Sequence, residues 1–133
     1  MERLLIESEN YTISNEYETV YLTFKKTNKK IVIGDFYGDP ESAFISVDES
    51  YCVMGGCGLI IYYLKEPFEI FEYHKKSEQW KELFREKDSI WWIKEIKEGN
   101  TSKSVEFIID ECDGFKSDIY EINVYSLEIT KIN

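Results

Sequence analysis

Along most of the chain, apolar residues return at every second position, the period of a strand with one buried face. Residues 18–25 show it cleanly: Val20, Leu22 and Phe24 fall on one side, Thr19, Tyr21 and Thr23 on the other. Residues 90–97 set Ile90, Trp92, Lys94 and Ile96 against Trp91, Ile93 and Glu95. Residues 105–110 set Val105, Phe107 and Ile109 against Glu106, Ile108 and Asp110. A short apolar run at 4–7 and the β-branched stretch 31–36 predict two further strands. Residues 10–15 read as a polar turn region. Residues 25–30, with Lys25, Lys26, Lys29 and Lys30 around Thr27-Asn28, read as a solvated hairpin tip.

The stretch 31–64 organises the rest. Gly38-Asp39-Pro40 is a turn, because Gly accepts positive φ and Pro fixes φ near −65°. Residues 42–47 extend, Asp48-Glu49-Ser50 turns, and 51–54 returns. Gly55-Gly56-Cys57-Gly58 makes a loose corner into 59–64, which is apolar throughout. Beyond Pro67, residues 68–73 fit a short strand or an irregular packed segment. Residues 78–87 predict one short helix. Ser77 would cap it, Trp80, Leu83 and Phe84 form a stripe at i, i+3 and i+4, and Lys81, Glu82, Arg85 and Glu86 cover the other face. Residues 111–118 read as a loop about Asp113-Gly114. The last segment, 119–132, extends. Its apolar parity moves from Tyr120, Ile122 and Val124 to Leu127 and Ile129, which predicts a bulge near Tyr125-Ser126.

These elements sum to a mainly β (α+β) fold: an antiparallel sandwich or strongly bent sheet of eight to ten strands, with one short helix near 78–87. Residues 1–133 are expected to form a single domain, since 133 residues, 43% of them apolar, suffice for one core. Residues 1–10, with Glu2, Arg3, Glu7 and Glu9, hold no apolar h-region, so no signal peptide is expected, and no run of 18 apolar residues predicts a membrane helix. Three cysteines, Cys52, Cys57 and Cys112, are an odd number, read as reduced thiols of a cytoplasmic protein.

Charge narrows the partners. The net charge is −10. That opposes binding to nucleic acid or an anionic membrane and suits a basic protein partner. Residues 31–73 carry eight acids and one base, a net −7; residues 104–133 carry seven acids and two bases, a net −5. Residues 74–103 carry six acids and eight bases, a net +2. If the two acidic segments fold together, they focus a negative face.

Chemistry-bearing residues are sparse. Cys52 and Cys57 are separated by four residues, against the two usual in zinc sites, and the sole histidine, His74, lies far along the chain. Neither metal nor cofactor is expected. No Cys or Ser is tied by spacing to His74 as a nucleophile to its base, so no catalytic residue emerges. Gly55-Gly56-Cys57-Gly58 lacks the Lys-Ser/Thr of a phosphate loop. Asp35, Asp39 and Glu41, beside Phe36 and Tyr37, could hydrolyse a glycoside, but closeness in sequence fixes no separation in space. The remaining candidate is a partner-binding face of carboxylates interleaved with aromatics: Asp35, Phe36, Tyr37, Asp39 and Glu41, with Asp110, Glu111, Asp113 and Phe115.

The stretch Gly34-Asp35-Phe36-Tyr37-Gly38-Asp39-Pro40, with Gly55-Gly56-Cys57-Gly58-Leu59 behind it, stands in a small, strongly acidic chain without a catalytic constellation. In overall type this resembles the small acidic immunity proteins of bacterial polymorphic-toxin and contact-dependent inhibition systems. The resemblance implies a cytoplasmic protein that binds and neutralises one cognate toxin, often a nuclease. The leading expectation is therefore a protein-binding module. The alternatives are a carbohydrate-active or other hydrolase using the carboxylates near 35–41, and a structural accessory protein.

Overall fold

A computed structural model of the chain describes residues 2–86, 90–110 and 117–132. Among the described residues there are twelve strands, against the eight to ten expected, because residues 80–83 and 11–16 are strands and 119–132 divides in two: β1 (Arg3–Glu7), β2 (Tyr11–Glu16), β3 (Thr19–Phe24), β4 (Lys29–Asp35), β5 (Ser42–Ile45), β6 (Tyr51–Gly56), β7 (Gly58–Tyr63), β8 (Trp80–Leu83), β9 (Ile93–Glu98), β10 (Ser104–Asp110), β11 (Ser117–Asn123) and β12 (Ile129–Lys131). They form three four-stranded antiparallel sheets, each a plain meander: β1–β4, β5–β8 and β9–β12. The first strands adjoin, β1 against β5 and β5 against β9. Successive meanders stacked face to face with their first strands together are the arrangement of propeller blades.

The fold is mainly β, as expected, but it is neither a two-sheet sandwich nor one bent sheet. The middle sheet buries both faces. Cys52 pairs with Tyr62 and Met54 with Ile60; these point toward the first sheet and meet Ile13, Val20, Leu22, Ile31 and Ile33. Tyr51 pairs with Tyr63 and Val53 with Ile61; these point the other way and meet Ile93, Val105, Phe107 and Ile122. Every residue of β6 and β7 is buried. Burial on both faces accounts for the unbroken apolar run at 59–64. The tyrosines placed there keep their hydroxyls bonded. Tyr63 donates to the Val124 carbonyl at 2.6 Å and Tyr51 to the Ser102 carbonyl at 3.1 Å.

Three sequence readings are corrected. No helix occurs among the described residues; residues 80–83 are β8, paired with β7 through Trp80–Tyr62 and Leu83–Leu59. The supposed stripe divides between two cores, with Trp80 in the first and Leu83 and Phe84 in the second. Ser77 caps no helix; its hydroxyl accepts the Gln79 N–H at 3.0 Å in a local turn. Residues 119–132 are a hairpin, not one bulged strand. Asn123 Oδ1 accepts the N–H groups of Tyr125 and Ser126, and Leu127 turns the chain with φ 66°. Residues 11–16 are β2, with Ile13 in the core, rather than a turn. The loop expected at 111–118 lies outside the described residues except at its end, where Ser117 and Asp118 belong to β11.

The Gly55–Gly58 corner is tighter than expected: Gly56 pairs with Gly58 across Cys57 alone. Two glycines here have definite tasks. A Cβ on Gly55 would sit 2.5 Å from Ile93 Cγ2, so its bare backbone lets β9 cross close over β6. Gly58 has φ +93°, and a Cβ there would lie 2.1 Å from Arg85 Cγ.

Candidate functional site

Antiparallel pairing decides which loops share an end of the stack. The β2–β3 turn, the end of β4 and the 36–41 segment, the β6–β7 hairpin and the end of β10 all come out together. Thr19 pairs with Asp35, and Glu18 Oε2 accepts the Gly38 N–H at 2.6 Å. Glu41 donates its N–H to the Gly55 carbonyl at 2.8 Å. Cys57 bridges to Trp92, and Asp110 donates its N–H to the Trp92 carbonyl at 2.8 Å. The Arg3 guanidinium holds the Pro40 carbonyl and, at 3.1 Å, Asn15 Oδ1.

This chain of contacts brings Asp35, Tyr37, Asp39, Glu41 and Asp110 to one end, although Asp110 lies in the third sheet. All five are exposed, Tyr37 at 79%. Phe36 is not part of that surface: it is 3% exposed and packs in the first core. Glu111, Asp113 and Phe115 lie outside the described residues. Pairing adds residues that no sequence signal marked. Glu16, Tyr17 and Glu18 project from the β2–β3 turn, and Ile90 and Trp92 emerge just before β9, each 41% exposed. Recognising 11–16 as a strand would have placed Glu16–Glu18 at a hairpin tip.

Among the described residues, Glu16, Glu18, Asp35, Asp39, Glu41 and Asp110 take part in none of the ion pairs, which engage Glu2, Glu7, Glu69, Glu72, Glu82, Glu106 and Asp118. Their mutual field is felt at Asp35. Its carboxyl is held above the usual range, first by burial and then by the Glu18 carboxylate, against the lowering effects of Arg85 and the Phe36 N–H.

The cysteine and histidine candidates do not assemble. Cys52 and Cys57 are free, buried thiols, and burial pushes the Cys52 thiol strongly up. His74 is exposed and lies against the Tyr73 ring, centroids 3.8 Å apart. No group of three or more metal-ligating side chains occurs among the described residues, and no helix among them is long and apolar enough to cross a membrane.

No protein-family model matches the chain, and no curated protein sequence matches it. Among solved structures, it is similar to hydrazine synthase from Kuenenia stuttgartiensis, with a TM-score of 0.58 at 14% identity. The similarity covers 93% of this chain and 34% of that one, so the chain spans about a third of that protein's length. At such low identity the likeness is one of fold alone.

Proposed function

We propose that this chain is a protein-binding module of the immunity type, acting in the cytoplasm to neutralise a cationic toxin domain. The observation that carries the reading is the convergence of exposed carboxylates outside any ion pair, from the first sheet, the 36–41 segment that leads into the middle sheet and the third sheet, beside Tyr17, Tyr37 and Trp92. Unpaired carboxylates steer a basic surface toward this end, and exposed aromatic rings supply contact area once it arrives. Binding there would cover the partner's active site or substrate groove.

The test is capture of a partner from the source organism with the chain as bait, at low salt and at high salt. A basic protein should be retained at low salt and weakened clearly at high salt, where the Debye length shrinks to a few ångströms. The bait carrying Asp39→Lys, Glu41→Lys and Asp110→Lys should lose it, while Glu128→Lys at the opposite end should not. Retention by the triple variant, or recovery of no basic protein at either salt concentration, would overturn the proposal.

A second reading, a hydrolase with Asp35 as general acid, is favoured by one observation, the raised carboxyl of that residue beside Glu18. Turnover of a glycoside that disappears in Asp35→Asn would favour it over the binding module.

A further inference from the structure

The acidic end is not the whole of this surface. Alongside β8, a cleft of about 390 Å³ opens between residues 74–77 and 80–86. Two hydrogen-bond donors in its lining have no acceptor among the described residues, Trp80 Nε1 and Arg85 Nη1. Both side chains are more than nine-tenths buried: Trp80 is 2% exposed and the Arg85 side chain 8%. An indole N–H and a guanidinium N–H can only donate, and a buried donor left unmatched is costly enough to need a reason.

Arg85 cannot turn away to find a partner. Its Nε faces Glu82 Oε1 at 3.3 Å, and its Nη2 donates to the Asp35 carbonyl at 2.6 Å. Its plane lies over the rings of Phe36 and Tyr73, at 4.9 and 5.1 Å. The guanidinium is therefore fixed on three sides, with Nη1 left over. The exposed rim carries Lys75, Lys76 and Lys81. Lys75 is engaged by Glu72 at 3.2 Å and Glu69 at 3.9 Å, whereas Lys76 and Lys81 join no ion pair among the described residues. Of the two acids in the lining, Glu82 takes the His74 N–H on Oε2 and faces Arg85 Nε with Oε1, but that buried Oε1 accepts no hydrogen bond and opposes an anion beside it; Glu86 is exposed.

We propose that this cleft is an oxyanion site. A phosphate or carboxylate group accepts from Arg85 Nη1 and Trp80 Nε1, with Lys76 and Lys81 at its mouth. Each donor atom has under 1 Å² of exposed surface, so lining side chains must part to admit the anion. The net charge of −10 works against any anion at long range. Affinity for a small free ion then rests on the local donors and is about millimolar.

The indole N–H of Trp80 gives a resonance of its own, identified by its loss in Trp80→Phe. The intact chain is titrated with inorganic phosphate and separately with acetate, sodium chloride holding the ionic strength constant. The Trp80 indole signal should move and saturate at about millimolar anion while those of Trp91 and Trp92 stay put. Lys76→Ala combined with Lys81→Ala should weaken the titration about three- to ten-fold, since both lie at the exposed rim. Saturation by phosphate alone would identify a phosphate group, and saturation by both anions a carboxylate-tolerant site. A Trp80 signal unmoved by about 50 mM of either anion, or moved equally by chloride, would overturn the proposal.

Discussion

Adjacent isoleucines in β7 test the three-layer arrangement directly. Ile60 and Ile61 are both fully buried, Ile60 in the first core and Ile61 in the second. Substituting either by Val removes one methylene and keeps the β-branch, so strand propensity is unchanged. The transfer term is about 0.8 kcal/mol, and a void of roughly 25 Å³ that fails to close adds up to about 0.6 kcal/mol, giving about 1 kcal/mol each. Because the two side chains lie on opposite faces, the double variant should lose about 2 kcal/mol, additive to within about 0.5 kcal/mol. Urea unfolding reads this as successive falls in the midpoint at constant slope. In a two-sheet sandwich one of two neighbouring positions faces water, and its truncation would fall within about 0.5 kcal/mol of zero. If either single variant loses less than about 0.3 kcal/mol, a middle sheet covered on both sides is wrong.

Two further outcomes follow from the geometry. Gly58→Ala meets both a positive φ and the Arg85 side chain, and should lower stability by at least about 2 kcal/mol; Gly38→Ala, at φ +83° with nothing within 4 Å of the new Cβ, should lose about 1 kcal/mol in parallel thermal melts. Asp35 has its carboxyl raised in the folded chain, so the folded state holds the proton more tightly than the unfolded one, and stability falls as pH rises through that window. Asp35→Asn should therefore be the more stable protein at pH 7, with an advantage that shrinks on acidification and is gone below the unfolded value of 3.8. An advantage that persists unchanged at pH 3 would contradict that assignment.

Strands with a clean apolar–polar alternation were legible; β2, whose buried positions include Ser14 and Asn15, was not. Val20, Leu22 and Phe24 do turn inward together, because alternation records a half-buried surface. The doubly covered β6 and β7 were legible too, as short β-branched and aromatic runs between turn residues, but β8 was not. Trp80, Leu83 and Phe84 match a helical stripe only because β8 sends apolar side chains to opposite cores, which erases the alternation a strand usually shows. The parity change after Val124 was real, but a four-residue reversal and a bulge leave the same trace in sequence. Of the candidate site, the 35–41 segment was visible as a mixture of acids and aromatics. Its meeting with Asp110 and with Glu16–Glu18 was not, because it depends on which strands pair. The burial of Phe36 was equally hidden, since nothing local distinguishes an inward Phe from the outward Tyr37 beside it.

The order of the meanders also bears on how the chain matures on the ribosome. Residues 42–63 emerge before 93–123, so the side of the middle sheet carrying Val53, Leu59 and Ile61 has no cover until the third sheet has been made. For that interval a nascent chain shows a broad greasy wall and an unfinished β-edge, the surface that holdase chaperones grip and that seeds aggregates when synthesis stalls.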